Sequence, residues 1–480
     1  MDIKHYIFIV LIGIGWSASM AQTGNVEEPV TPDVELIVTV KGQAAGTGKL
    51  VGVYADQNFL ADTTLIDANG TMVFKKDKRY DEGLYYVLLP DKTSFQVLLT
   101  KDQHFEMITE KSSLTPGMQV KGSLENELLY KNLKFQSELE PKFAQVNSQI
   151  KSLQRGTPEY ISQKKTLDSL LNARTEHVEW FKKNYPKAFF TTYKVAGQNP
   201  PVEEPKKLDG TIDTAMQVYL YRTKFWDGVD FKDDRLLHTP VFHNKLSRYI
   251  KELTPQHPDS LLIYAEQIIG KTRNTPDLFK YTVNYAALQY RPTKTTLMDG
   301  EKVYSQLILK YWTPEIAFWS DSTEIVSLRS QARQMVNSYL GMKGQDIRAK
   351  DKNGIYRSLY DSKATLLIFY VYSPNCEHCI EETPQLIKLY HEWKDRGVDV
   401  FSLVTNTKDQ QEWIDFNNNY GIPWPDVHDP QMESKFYLKY NIDITPEIYV
   451  LDKDRIIVAK NLNPSQLPEV LDRELKKYNK

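Results

Sequence analysis

The chain has 480 residues, with 60 Lys and Arg against 62 Asp and Glu, a net charge of -2, and 41% hydrophobic residues. That length exceeds one core and suits about three domains. The balanced charge, without long blocks of one sign, excludes a nucleic-acid footprint and a polybasic membrane patch, so no nucleic-acid partner is expected.

Lys4 and His5 precede an apolar run from Tyr6 to Gly15, and the small residues Ser19 and Ala21 stand just before Gln22. This is the pattern of a cleaved secretory signal peptide over residues 1–21. The run is shorter than the ~20 residues a helix needs to span a bilayer, and no later segment comes closer. An uncleaved membrane anchor is the alternative. No cysteine lies near residue 22, which disfavours a lipid anchor. The expectation is an exported chain of the periplasm or cell envelope, without a transmembrane segment after cleavage, in a compartment where disulfides persist.

Residues 33–121 contain short β-rich runs, "VELIVTV", "KLVGVYA", "TLIDANGTMVF", "LYYVLL" and "FQVLLT", separated by Gly, Asn and Asp. They predict an antiparallel β-sandwich, or a barrel, with Asn69-Gly70 as its best hairpin turn. His104 is read as an ordinary surface or satisfied residue. After Gly122 the apolar period becomes helical, opening on an approximate capping box at Ser123 with Asn126 and Glu127. Residues 122–200 predict a helical hairpin broken at Arg155-Gly156-Thr157-Pro158, followed by a linker or exposed loop, "GQNPPVEEPKKLDG".

Residues 201–340 predict an all-helical domain with Pro240, Pro255, Pro258, Pro276, Pro292 and Pro314 at its joints. Phe225, Trp226, Phe242, Tyr281, Trp312 and Trp319 fall at helical spacing and read as core. His238 and His243 lack the third ligand and one-turn spacing of a metal site, so no metal is expected.

From residue 341 to 480 the pattern is α/β. Strands are predicted in "QDIRAK", "IYRSLY", "ATLLIFYVY", "VDVFSLVTN", "EIYVLD" and "RIIVAK", and helices near 376–395, 408–420, 431–440 and 464–479. The run at 364–372 is apolar on both faces, as a strand covered by helices should be. The only two cysteines, Cys376 and Cys379, follow it directly.

A strand running into a helix places Cys376 at the helix N-terminus, where free N–H groups and the helix dipole favour the thiolate, the reactive form. Cys379 lies one turn on, on roughly the same face, within disulfide reach but more covered. Cys376 is therefore the candidate nucleophile and Cys379 the resolving thiol. Glu377 disfavours a nearby thiolate and a protonated His378 favours it, so both tune the redox pair. Glu382, three residues past Cys379, is either a proton donor and acceptor for it or a solvated surface carboxylate. Two other readings of the pair stay open: a structural disulfide in an envelope binding or adaptor protein, and half of a zinc site, which would need about four ligands.

Residues 342 to 480 resemble the thioredoxin-fold domain of the TlpA-like thiol-disulfide oxidoreductases. Their motif C-x-x-C-x-x-E-x-P is matched by Cys376, Cys379, Glu382 and Pro384. The cis-proline facing the motif is matched by Thr445-Pro446 in "YNIDITPEIYVLD". The resemblance implies that Thr445 contacts substrate backbone, that Pro446 is cis and shields the thiols, and that Pro374 and Asn375 line the substrate side. It implies no cofactor beyond a redox-active Cys376–Cys379 disulfide, protein disulfides as substrates, and an upstream thiol reductant or membrane electron donor. The sequence departs from thioredoxin where Asn375 replaces the tryptophan before the first cysteine and where Phe369 and Tyr370 occupy the region of the buried acid. Ser373 stands three residues before Cys376, so the Thr-x-x-Cys approach of peroxiredoxins is absent. Upstream, "GSLENELLYKNLKF" and "RLLHTPVFHNKLSRYIKELTPQHPDSL" resemble the sandwich and helical regions that precede such domains in exported proteins of Gram-negative bacteria. The fold expected is thus multidomain: an N-terminal antiparallel β-sandwich, a central all-α region and a C-terminal α/β thioredoxin fold.

Overall fold

The computed structural model describes residues 33–292, 297–407 and 409–478. The signal peptide read over residues 1–21 lies outside them.

The N-terminal region is a sandwich of two four-stranded sheets. In one, Val34–Lys41 lies between Thr71–Lys76 and His104–Glu110, with Gln119–Lys121 at the far edge. The other runs Gln57–Ile66, Gly46–Tyr54, Gly83–Leu88, Ser94–Leu99. Alternation decides which side faces inward: Val34, Leu36, Val38 and Val40 are buried, while the residues between them are half-buried. Ladders are antiparallel except one, where Val34–Lys41 runs parallel to His104–Glu110.

The turn at Asn69-Gly70 forms, but it makes a corner rather than the expected hairpin. Asp67 Oδ1 accepts the N–H groups of Asn69 and Thr71, each at 2.8 Å, and Gly70 takes φ +79°. The following strand, Thr71–Lys76, pairs with Val34–Lys41 in the other sheet. The apolar pairs Leu36 with Phe74 and Val38 with Met72, and the Val40 N–H bond to Gly70 O at 2.9 Å, draw it across.

Two long helices, Leu124–Ser152 and Pro158–Asn184, form the expected hairpin, capped by Ser123 and Thr157. Its feet share the sandwich core: Leu128, Leu129, Tyr130 and Phe181 pack there with Phe189 and Phe190 of the next helix. Asn126 fastens this junction by bonding both the N–H and the carbonyl of Leu98 at 2.8 Å.

The central region packs helices Thr214–Lys224, Pro240–Arg248, Pro258–Thr272, Pro276–Leu288, Gly300–Tyr311 and Ser322–Met335 around one aromatic-rich core. Pro240, Pro258 and Pro276 each open a helix, where the missing N–H costs nothing. Phe225, Trp226, Phe242 and Trp312 are buried in this core, with Tyr281 and Trp319 packed against it. His243 Nδ1 bonds Tyr281 Oη at 2.6 Å. Among the described residues no group of three or more His, Cys, Asp or Glu is placed to hold a metal ion. Nor is any described helix long and apolar enough to cross a membrane.

The C-terminal region is a seven-stranded sheet ordered Tyr356–Ser358, Arg348–Asp351, Asp426–His428, Val398–Val404, Leu366–Tyr372, Glu447–Asp452, Ile457–Lys460. Leu366–Tyr372 is buried at every residue. It runs parallel to Val398–Val404 and antiparallel to Glu447–Asp452. Separate apolar clusters cover its two faces, one containing Cys379 and the helix Glu377–Trp393. This is the thioredoxin fold that was expected. The sequence reading lacks Asp426–His428, too short for a periodic signal, and the helix expected over 431–440 contracts to Phe436–Lys439.

Candidate active site

The strand Leu366–Tyr372 ends in the tight segment Ser373-Pro374-Asn375, and Cys376 is the N-cap of the helix Glu377–Trp393. Its Sγ accepts the N–H of Cys379 at 3.3 Å, so one of the helix's free donors points at the sulfur. On its other side, the thiol donates to the carbonyl of Thr445 at 3.3 Å. The Thr445–Pro446 peptide is cis. Residues far apart in sequence thus meet at one sulfur, with Cys376 half-buried and Thr445 and Pro446 half-exposed beside it.

Cys379 is different. It is fully buried in the cluster under the helix, and burial pushes its thiol up to about 12. Both cysteines are free thiols. The pair therefore combines a reachable sulfur, held by a helix N-terminus, with a second that is shielded and reluctant to ionise.

The other predicted residues fall around this pair. Glu382 is half-buried, and burial raises its carboxyl above the usual range. It lines a cleft of about 560 Å³ together with His378, Thr445 and Pro446. Glu377 and His378 are exposed, and His378 Nδ1 lies 4.0 Å from Glu381. Asn375 is exposed, and its amide donates to Glu412 Oε1 at 2.5 Å. Pro374 is buried.

The structure adds groups that the sequence reading passed over. Glu447, directly after Pro446, is buried, and its carboxylate accepts from Tyr449 Oη at 2.9 Å. Beside it lies Lys460, 1% exposed, which pairs with Glu301 of the helical region and stands 4.0 Å from Asp299. Burial pushes the carboxyl of Glu447 up to about 8 and that of Asp299 up to about 7.

These raised values fix the sign of a pH effect. A carboxyl that holds its proton more tightly when folded contributes stability below the unfolded carboxyl range, and that stability is lost as pH rises through the folded value. Resistance to urea should therefore fall by on the order of a few kcal/mol between about pH 5 and 8, and level off above that. Glu447→Gln, which keeps the uncharged shape, should flatten that decline. An unchanged slope would remove Glu447 as its source.

Comparison with known proteins finds relatives of the C-terminal region. Residues 340–460 match the AhpC/TSA family. Thiol-disulfide oxidoreductase ResA of Bacillus thuringiensis (strain Al Hakam) is 26% identical over 138 residues, covering 29% of this chain and 78% of that protein. Thioredoxin-like protein YneN of Bacillus subtilis (strain 168) is 23% identical over 130 residues, covering 27% and 75%. Among solved structures, a domain of a possible thiol-disulfide isomerase from Cytophaga hutchinsonii is 31% identical, covers 29% of this chain and 95% of its own, and has a TM-score of 0.27. The C-terminal part of this chain is therefore a thioredoxin-like domain matching the AhpC/TSA family and related to the thiol-disulfide oxidoreductases.

Proposed function

We propose that this protein is an exported, TlpA-like thiol-disulfide oxidoreductase that exchanges disulfides with protein substrates through Cys376 and Cys379. The observation that carries the reading is the contrast between the two sulfurs: Cys376 at a helix N-cap against the cis Thr445–Pro446 peptide, Cys379 sealed beneath it.

In the reducing direction, the Cys376 thiolate attacks a substrate disulfide, forming a mixed disulfide and releasing one substrate thiolate. Cys379 then gives up its proton, with Glu382 as the acceptor, and its sulfur bonds to Cys376. The mixed disulfide breaks, the second substrate thiolate leaves, and the protein is left oxidised. An upstream thiol reductant or membrane electron donor returns two electrons, and no cofactor beyond the cysteine pair is needed. Thr445 and Pro446 receive the substrate backbone, Pro374 and Asn375 shape the opposite rim, and Glu377 and His378 adjust the thiolate's stability from solvent. The region before residue 22 directs export to the periplasm or cell envelope.

Cys379→Ser tests the assignment. Without the resolving sulfur, the mixed disulfide should persist and be recovered as a reducible covalent adduct between this chain and its substrates. Absence of adducts after acid quenching would instead favour a structural pair.

A further inference from the structure

The exchange chemistry of the two sulfurs makes no use of the helical region, yet that region reaches the site. The cleft of about 560 Å³ is lined by Ile444, Thr445, Pro446 and Leu462 of the thioredoxin-like domain and by Met298 and Glu301 of the helical region. Met298 packs against the same apolar cluster that Cys376 and Leu462 border.

The helical side of the cleft is anchored. Asp299 and Glu301, both buried, follow Met298 in the chain. Asp299 Oδ2 accepts the Leu340 N–H at 3.3 Å, while the Glu301 carboxylate pairs with Lys460 and accepts from Asn461 Nδ2 at 3.4 Å. Met298 is therefore presented to the cleft from a fixed backbone.

The volume lies within the range of about 300–1,000 Å³ usual for binding clefts. Its lining is mixed. Met298, Leu462 and Ile444, the last 55% exposed, offer apolar surface, and Asn461, Asn463 and Gln466 add side-chain amides. An extended polypeptide needs both, because its backbone N–H and C=O groups require polar partners while its side chains project to alternate sides. Charge does not favour a cationic ligand here, since Glu301 is matched by Lys460 and the Glu447 carboxyl is occupied by Tyr449 Oη. Thr445, whose carbonyl accepts the Cys376 thiol, lies on the same cleft, so a segment resting there carries its disulfide to the attacking sulfur. Methionine, unbranched and polarisable, adapts to apolar partners of differing shape.

Building on the disulfide-exchange reading above, we propose that the helical region supplies part of the substrate site. Met298, with Ile444 and Leu462, receives an apolar side chain flanking the cysteine of an extended protein segment, and is thus a specificity-determining residue.

The reduced full-length chain is mixed with excess of either of two synthetic peptide disulfides, which differ only in carrying leucine or serine beside the cysteine. Single-turnover rates by acid quench, followed against peptide concentration, give a half-saturation concentration and a limiting rate for each. The wild-type chain should react with the leucine peptide about tenfold more efficiently, mainly through a lower half-saturation concentration. Met298→Asp should bring the two peptides to within about twofold of each other by raising half-saturation for the leucine peptide. Met298→Leu, close in volume, should keep the preference. Absence of a leucine preference in the wild-type chain, or a preference that survives Met298→Asp because both peptides slow equally, would overturn the proposal. If Met298→Asp fails to fold, Ile444→Asp, at an exposed position of the same cleft, is judged by the same outcomes. A wild-type chain that reacts with neither peptide would instead remove the disulfide-exchange reading itself.

Discussion

Cys376→Ser should abolish reduction of disulfide-bonded insulin, with at least about a thousandfold loss of turnover. A hydroxyl cannot enter a disulfide and is not ionised near neutrality. Cys379 cannot replace it, being 0% exposed with its thiol pushed up to about 12. The substitution is structurally mild, because serine is a favoured N-cap and its oxygen can accept the Cys379 N–H that the sulfur accepts now. Thermal stability should therefore change by no more than about 1 kcal/mol, separating loss of chemistry from loss of fold. Insulin precipitation in the presence of a thiol donor, with a melting curve on the same sample, reads both. Retained reduction would take the nucleophile away from Cys376.

Lys460→Ala should be the most destabilising single change near the site, at about 3–5 kcal/mol in urea denaturation. Its ammonium is held by the Glu301 carboxylate, by the Ser338 carbonyl at 2.7 Å and by Ser338 Oγ at 3.2 Å, with Asp299 at 4.0 Å. Removing it leaves buried carboxylates with no cation. Lys460 also faces the carboxyls of Asp299 and Glu447, which burial already raises, so the loss should shrink as pH is lowered, where these two hold protons, and grow as it is raised. A variant within about 1 kcal/mol of wild type at about pH 8 would show that the pairing contributes little.

What could be read from the sequence was local. The spacing of Cys376 and Cys379 after an apolar strand, and Thr445-Pro446 before another, are contiguous signals, and the fold brings them together at one sulfur. The sandwich, the helical hairpin and the proline-started helices were legible for the same reason, because alternation, capping and helix-opening prolines act over a few residues. Pairings over long separations were not legible. Lys460 meets Glu301 across about 160 residues, and neither residue type announces a buried partner. Tyr370 reads as one more apolar residue in a central strand until Thr383 is found facing its hydroxyl. Asp426 was missed with its three-residue strand, though its carboxylate gathers Ser402, Trp413, Asn417 and Tyr372. The Asn69-Gly70 turn carried the right local chemistry but could not say which sheet its second strand would join.

The strand Val34–Lys41 is flanked on both sides, by Thr71–Lys76 and by His104–Glu110. Because the second neighbour lies about 70 residues downstream, that sheet stays open along one border during synthesis until residue 110 has emerged. Through that interval the nascent chain bears an unsatisfied row of peptide groups beside the apolar side chains of Val34, Leu36, Val38 and Val40, the kind of border on which another chain can lodge. A holding chaperone would have its work there, at the beginning of the polypeptide, well before either cysteine has been made.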